Sequence, residues 1–389
     1  MRSYLGVPDG TRDRVYADAE ALRERENALA GLFAARGYRE ACTPMMEYYD
    51  LFVQTGSPLR QEAMQSATGR NGRILVLRPD STVPLARAAA TRLATQELPL
   101  RLYACQSVCR SDISHNGRSA ERRQAGVELL GAPGLKADLE VLALALETLQ
   151  ACASDGDGKR CRLEIGHAGL FDAMLACLDV DEATAETIRQ LTGRKNYAAL
   201  DGLLDGLSGG RHADALRRIL LLFGGPEILR EAGDLGNPAS NAALAYLREL
   251  YEGLRAAGFG EHVLFDLGLV GQLGFYTGVI FHGYAENLGE PALSGGRYDN
   301  LLGQLGREAA ATGFAVSLDA FPSPEEGNRC LQTVIHYEVK QTRAALALLR
   351  AQPPGSAELS VCGSVEESAA LAARKGCRLV VVGLEPHGE

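Results

Sequence analysis

Apolar positions at helical spacing open the chain. Leu22, Leu29, Leu32 and Phe33 share one face of a segment running from Tyr16 to Gly37, where the glycine supplies a C-terminal stop. Tyr38–Phe52 (YREACTPMMEYYDLF) begins as a strand and breaks at Pro44, which cannot donate to a ladder. Arg73–Arg87 (RILVLRPDSTVPLAR) reads as an apolar strand, a polar turn and a helix start. Arg101–Gly131 holds two strand-like runs around a polar loop from Ser111 to Arg122, the pattern of a long hairpin. Leucines at helical spacing then predict a helix over Lys136–Ala151, followed by a polar linker, Ala153–Lys159.

Arg162–Ile165 is a short strand that runs into Gly166 and a helix start. From about Cys177 to Ala257 the pattern is helical and leucine-rich, interrupted at Gly206–Gly210 and Gly233–Pro238. β character returns at His262–Leu269, Phe275–Tyr284 and Gly313–Leu318, and Pro322, Pro324 and Glu325–Gly327 make a linker. The last 60 or so residues alternate strand, helix, strand, helix, strand and end in LVVVG, the pattern of a small α/β module of parallel or mixed sheet. Two domains follow, residues 1–322 (with the helical region 177–257) and 328–389. The larger is α+β, since its hairpins and helices do not alternate steadily as a Rossmann or barrel fold would.

Composition narrows the function. A chain of 389 residues with 46% hydrophobic and 23% charged residues is ordinary for a soluble protein. The start MRSYLGVPDGTRD lacks a signal-peptide plan, and no apolar run approaches the roughly 18 residues of a membrane helix, so a cytoplasmic location is expected. A formal charge of −9 argues against a nucleic-acid partner. Nine cysteines are scattered without a C-x-x-C; only Cys105 and Cys109 are close, and no second ligand pair follows. Reduced structural thiols are expected, with no metal and no cofactor. Fingerprints for dinucleotides, P-loop phosphates and zinc proteases are absent.

The residues that could carry chemistry are few. Asp80 lies just past a strand with Thr82 two residues on, and Gln124, Gly126 and Glu128 alternate onto one face of the second hairpin strand. Two carboxylates with a glutamine suit the ammonium group of an amino acid. The structural alternative makes Glu128 a salt-bridged sheet residue and Asp80 a helix N-cap. In Ser294–Leu302 (SGGRYDNLL) two glycines let another group approach the backbone, and Tyr298 could line a pocket. SGGR recurs at Ser208–Arg211, where it opens a helix, so the tetrapeptide alone is weak. Tyr276, in LVGQLGFYTGVIFH, could face a ligand or be an aromatic core residue.

In this order, the segments around Pro44, Leu77–Thr82 (LRPDST), the 101–131 hairpin, LVGQLGFYTGVIF and GGRYDNLL resemble class II histidyl-tRNA synthetase over roughly residues 5–320. The resemblance implies an antiparallel sheet flanked by helices, a homodimer through the first motif and a histidine pocket. Asp80 stands where the family has a glutamate that contacts histidine's amino group. Thr82, Gln124, Glu128, Tyr276 and Tyr298 match pocket positions, and Arg110 matches the arginine that holds the ATP α-phosphate. The nucleotide half departs from the family. Its carboxylate-bridging arginine is Gly271 here, its final ATP-clamping arginine is Ala320 in GFAVSLDA, and a glycine there is Ser317. The adenine-stacking aromatic is replaced by Arg122, a basic position is Ala120, and a loop glutamate is Asp112. Arg110 and Asp112 are then remnants of a nucleotide site.

Each lost charged donor costs adenylation about 3–4 kcal/mol, so useful activation of histidine is not expected. Only about 60 residues follow Pro324, with seven Lys or Arg against eight Asp or Glu from Glu325 onward, which gives no basic face for tRNA. A synthetase core without ATP clamps resembles the regulatory subunits of ATP phosphoribosyltransferase. That resemblance implies a non-catalytic partner of a short catalytic subunit in the first step of histidine biosynthesis, with L-histidine as feedback effector. A synthetase-like protein with residual activation, or a stand-alone amino-acid-binding module, are the alternatives.

Overall fold

The computed structural model describes residues 5–56, 63–111, 119–153, 160–207, 210–269, 276–322 and 331–383. Asp112, Gly271 and the 154–159 and 323–330 linker segments lie outside these residues. The chain divides into one compact unit of Met1–Asp13 with Leu22–Pro322 and a second of Arg14–Ala21 with Ser323–Glu389.

The first unit is built on a nine-stranded sheet. Its strands run, in spatial order, Arg39–Glu40, Leu100–Cys109, Glu121–Leu130, Ala311–Ser317, Leu293–Arg297, Val279–Tyr284, Arg162–His167, Val263–Asp266 and Phe223–Gly224. Pairing is antiparallel through the centre, as expected, but parallel at Arg39–Glu40 with Leu100–Cys109 and at Arg162–His167 with Val263–Asp266. The sheet is therefore mixed. Register fixes what each face carries. One face presents Ala125, Val127, Leu129, Phe314, Val316, Phe281, Ile165 and Leu163, all packed in one core with Val141, Leu142, Ala145 and Leu149 of the helix Leu135–Cys152. The opposite face carries Gln124, Gly126 and Glu128, then Ser317, Ala315 and Gly313, then Gly296, Ile280, His282 and Glu164. One apolar face thus holds the fold, and the other is left polar and glycine-rich.

The opening helix, Tyr16–Ala35, buries Leu29 and Phe33, and Gly37 takes φ +81° just past its end. Strand Ile74–Leu77 pairs with Met46–Tyr48 and Ser66–Thr68 in a small antiparallel sheet and leads into the helix Thr82–Thr91. Arg78, 4% exposed, fastens this layer to the hairpin. Its guanidinium donates to Ser107 O from Nε at 3.0 Å and from Nη2 at 2.7 Å, and to Thr43 O at 2.7 Å and Pro44 O at 3.1 Å. The segment after Leu175 is helical as expected, with helices at Glu182–Gly193, Tyr197–Asp205, Gly210–Leu220 and Pro238–Ala256. It also contributes Phe223–Gly224 to the sheet edge, a strand too short for any periodicity to reveal. Leu293–Arg297 is a central strand as well, hidden in sequence by its two glycines.

At the far end of the polar face lies a pair of buried acids, Glu164 and Asp266, hydrogen-bonded to one another. Burial, then the Asp266 carboxyl, pushes Glu164 up to about 7. Lys195 Nζ stands 3.5 Å from Asp266 Oδ2, Gly268 N–H donates to Asp266 Oδ1 at 2.8 Å, and Tyr284 bonds Glu164. Burial lowers His282 on the adjacent strand. Free thiols occur throughout, and burial pushes Cys105 up to about 12. Among the described residues no group of three or more His, Cys, Asp or Glu is placed to hold a metal, and no helix is long and apolar enough to cross a membrane.

The second unit carries a wholly parallel three-stranded sheet in the order Ala357–Leu359, Thr333–His336, Arg378–Val381, with helices Thr342–Arg350 and Val365–Lys375 between successive strands. This is the strand–helix alternation read from the sequence. His336 Nδ1 lies 2.7 Å from Ser368 Oγ, itself 2.6 Å from Ser360 Oγ, so its buried polar groups satisfy one another.

Two outcomes follow. Arg78→Met leaves several buried carbonyls without donors and should lower the unfolding free energy in urea by about 3 kcal/mol or more. Glu164 has a folded pKa above its ordinary 4.5, so its contribution is full below that value and is lost as pH rises through about 7. Glu164→Gln should therefore gain stability relative to wild type between about pH 5 and pH 8; parallel pH curves for the two would contradict the assignment.

Candidate amino-acid pocket on the polar face

Glu128 is the centre of the site. Its strand sends the side chain onto the polar face, and Gly313, its cross-strand partner, leaves room for it. A Cβ at Gly313 would collide with the Glu128 carboxylate and with Val127 O, so a glycine is required there. Glu128 is 3% exposed, and Tyr298 O–H donates to its Oε2. Thr82 also bonds it. Burial holds the Glu128 carboxyl well above the usual carboxylate range, and the nearby Asp80 charge pushes the same way. Among the described residues the partners of Glu128 are hydroxyls, not the cation of the salt-bridged alternative.

Asp80 has two roles. Its Oδ1 accepts the backbone N–H of Val83 at 2.9 Å, so it caps the helix Thr82–Thr91, as the structural alternative held. Its charge is also felt by Glu128. Burial raises Asp80, opposed by the Val83 N–H and then by the Arg110 guanidinium. The backbone of Thr82 bonds Asp80 as well.

Tyr276 closes the pocket from the segment before strand Val279–Tyr284. A Cβ at Gly296 would lie 2.7 Å from its ring, so the glycine pair in SGGRYDNLL serves the close approach that the sequence suggested. Burial raises the Tyr276 hydroxyl, as do Glu128 and Asp80, while Arg110 lowers it. Asp80, Thr82, Glu128, Tyr276 and Tyr298 therefore converge. Gln124 lies two positions further along the same strand face, opposite Ser317, with its Oε1 buried and without a hydrogen bond. A cleft of about 430 Å³ opens beside Tyr276, lined by Thr55, Asp172, Thr277, Asn300 and Gln304.

The nucleotide half is different. Arg110 Nε donates to Pro79 O at 2.9 Å, and its charge is felt by Asp80 and Tyr276. Arg122 Nε turns back to Ser119 O at 3.1 Å. Ala320 closes a short 3-10 turn, Leu318–Ala320, that offers no guanidinium. Asp112 and Gly271 lie outside the described residues.

Sequence reasoning missed the brace behind Tyr298. Arg297, directly before it, points to the apolar side and donates to Asp138 through Nε at 3.0 Å and Nη2 at 2.7 Å, and to Asp299 through Nη1 at 3.0 Å. Tyr246 O–H donates to the same Asp138 at 2.6 Å. Thr277 N–H donates to Arg297 O at 2.8 Å, and Asp299 N–H to Thr277 Oγ1 at 3.1 Å. Alternation then forces Tyr298 toward Glu128. Asp138 sits in the first turn of a leucine-rich helix, so its sequence signal was that of an ordinary N-terminal acid.

The histidyl-tRNA synthetase family profile matches residues 10–321. The ATP phosphoribosyltransferase regulatory subunit of Moorella thermoacetica is 37% identical over 389 aligned positions, covering 97% of this chain and 98% of the relative. That of Clostridium acetobutylicum is 36% identical over 317 positions, covering 80% of this chain and 77% of the relative. Among solved structures, the ATP phosphoribosyltransferase regulatory subunit/histidyl-tRNA synthetase of Bacillus halodurans C superposes with a TM-score of 0.85 at 32% identity, covering 98% of each chain. The chain has the class II synthetase-like fold and belongs to the family of ATP phosphoribosyltransferase regulatory subunits.

Proposed function

We propose that this chain assembles with a short catalytic subunit of ATP phosphoribosyltransferase and controls it in response to L-histidine. The two together perform the first step of histidine biosynthesis, and this chain performs no chemistry of its own. The observation that carries the reading is the contrast within one polar sheet face. Asp80, Thr82, Glu128, Tyr276 and Tyr298 converge, while the position of the final ATP-clamping arginine holds Ala320 and that of the adenine-stacking aromatic holds Arg122, whose Nε bonds Ser119 O. An ammonium group meets a buried acid there, whereas among the described residues charge developing on a phosphate meets Arg110 alone of the family's clamping positions. Arg110 and Asp112 are read as remnants of a nucleotide site.

Feedback further requires that histidine bind one state of the complex better than another. Residues 1–322 form the effector-binding core in this reading, with 328–389 as a small appended domain that has no tRNA to bind. Exposed Met45, Met46, Tyr48, Val53 and Ile74 around the Pro44 segment support self-association through the core. The protein acts in the cytoplasm, without metal or cofactor.

The experiment is phosphoribosyl transfer to ATP by the short catalytic subunit, with and without this chain. Addition should raise the rate, and L-histidine should then lower it; no change on addition would sink the proposal. Histidine-dependent exchange of pyrophosphate into ATP by this chain alone should stay at background, and a clear signal would favour the residual-synthetase reading instead.

A further inference from the structure

The two tyrosines of the pocket stand next to residues that bond one another. Thr277 follows Tyr276, and Arg297 and Asp299 flank Tyr298. Thr277 N–H donates to Arg297 O at 2.8 Å, and Thr277 Oγ1 accepts the Asp299 N–H at 3.1 Å. One residue therefore grips the carbonyl before Tyr298 and the N–H after it. The N–H of Tyr298 itself donates to Ala311 O at 2.8 Å, and Asp299 Oδ1 accepts the Ala311 N–H at 3.0 Å. Glycines make the fit close: a Cβ at Gly296 would lie 2.7 Å from the Tyr276 ring, and one at Gly278 would lie 2.9 Å from Arg297 Cδ. On the apolar side, Asp138 holds Arg297 Nη2 at 2.7 Å and accepts the Tyr246 O–H at 2.6 Å. Asp138 is buried, so a donor lost there is not replaced by bulk water.

We propose that Thr277 and Tyr246 are positioning residues for the pocket: Thr277 sets the spacing of Tyr276 and Tyr298, and Tyr246 steadies the Arg297–Asp138 pair that aims Tyr298 at Glu128. The proposal rests on the histidine reading above and deepens it, by naming groups that set affinity through other residues. The Thr277 hydroxyl is engaged by the Asp299 N–H, and Tyr246 stands on the helix Pro238–Ala256 and acts through Asp138. Hydrogen bonds weaken steeply as their angle opens, so a small turn of Tyr298 loosens the O–H that Glu128 accepts. Binding groups keep a productive geometry only while the residues around them hold it.

The test is calorimetry with L-histidine on the full chain, freed of bound amino acid, as wild type, Thr277→Val, Thr277→Ser and Tyr246→Phe. Valine keeps the shape of threonine and loses its oxygen, whereas serine keeps the oxygen. Thr277→Val should weaken histidine by about tenfold or more, and Thr277→Ser by less than about threefold. Phenylalanine at 246 keeps the edge-on contact with the His167 ring, centroids 5.9 Å apart, and loses the bond to Asp138. It should weaken histidine by about threefold or more. Urea midpoints of the same samples separate positioning from folding. A variant with a lowered midpoint and wild-type affinity would overturn the assignment of its residue, as would serine weakening histidine as much as valine does. Should Thr277→Val fail to fold, Tyr246→Phe decides, and wild-type affinity there would overturn the proposal. Equal binding by wild type and both variants would overturn the proposal and leave the histidine reading intact; no binding by the wild type would overturn both.

Discussion

A buried carboxyl group, Glu128, and a half-buried one, Asp80, within interaction range of each other are the constraint on which this molecule turns. Burying one ionised acid is costly, and burying two side by side is worse, so the fold must hold them, hydrogen-bond them or neutralise them. It does so with Tyr298 and Thr82 on Glu128 and with a helix N-terminus and Arg110 on Asp80. Tyr298 is in turn held by the Arg297–Asp138 pair on the other side of the sheet. The apolar face supplies the stability that lets the polar face keep this unfavourable arrangement. Asp80 has a structural use as a helix cap; in the proposed reading, a ligand completes the Glu128 carboxyl beside it.

In the proposed reading, the same constraint accounts for a divergence from a synthetase. An enzyme that activates histidine must balance the growing charge on a phosphate, whereas a sensor need only distinguish occupied from empty. Relaxing the first requirement frees the ATP-facing positions to drift, which fits alanine at 320 and an Arg122 folded onto its own backbone. Glu128 and Tyr276 stay under the geometric control of Gly313 and Gly296, because a methyl group at either would strike one of them.

Much of the fold was legible because its elements are long and periodic: the opening helix, the Leu100–Leu130 hairpin and the C-terminal strand–helix alternation. Arg39–Glu40 and Phe223–Gly224 were not, since two residues carry no period and are strands only by virtue of their neighbours. Leu293–Arg297 was masked by glycines whose purpose is to admit Phe281 and Tyr276. The site was legible through resemblance more than through spacing, and its five converging residues come from four separate segments. What could not be read was support at a distance. Arg297 and Asp138 are 159 positions apart, and nothing local marks them as partners. Nor did spacing decide whether Glu128 met a cation or a hydroxyl.

In the proposed reading, burial raises the Glu128 carboxyl above the usual carboxylate range and the ammonium of a bound ligand draws it back toward ionisation. Proton linkage measures this directly: histidine is titrated calorimetrically at neutral pH in two buffers of different ionisation enthalpy. The account predicts a net release of protons on binding to the wild-type chain, lost in Glu128→Gln. Identical apparent enthalpies in both buffers, or release that survives in the variant, would contradict it.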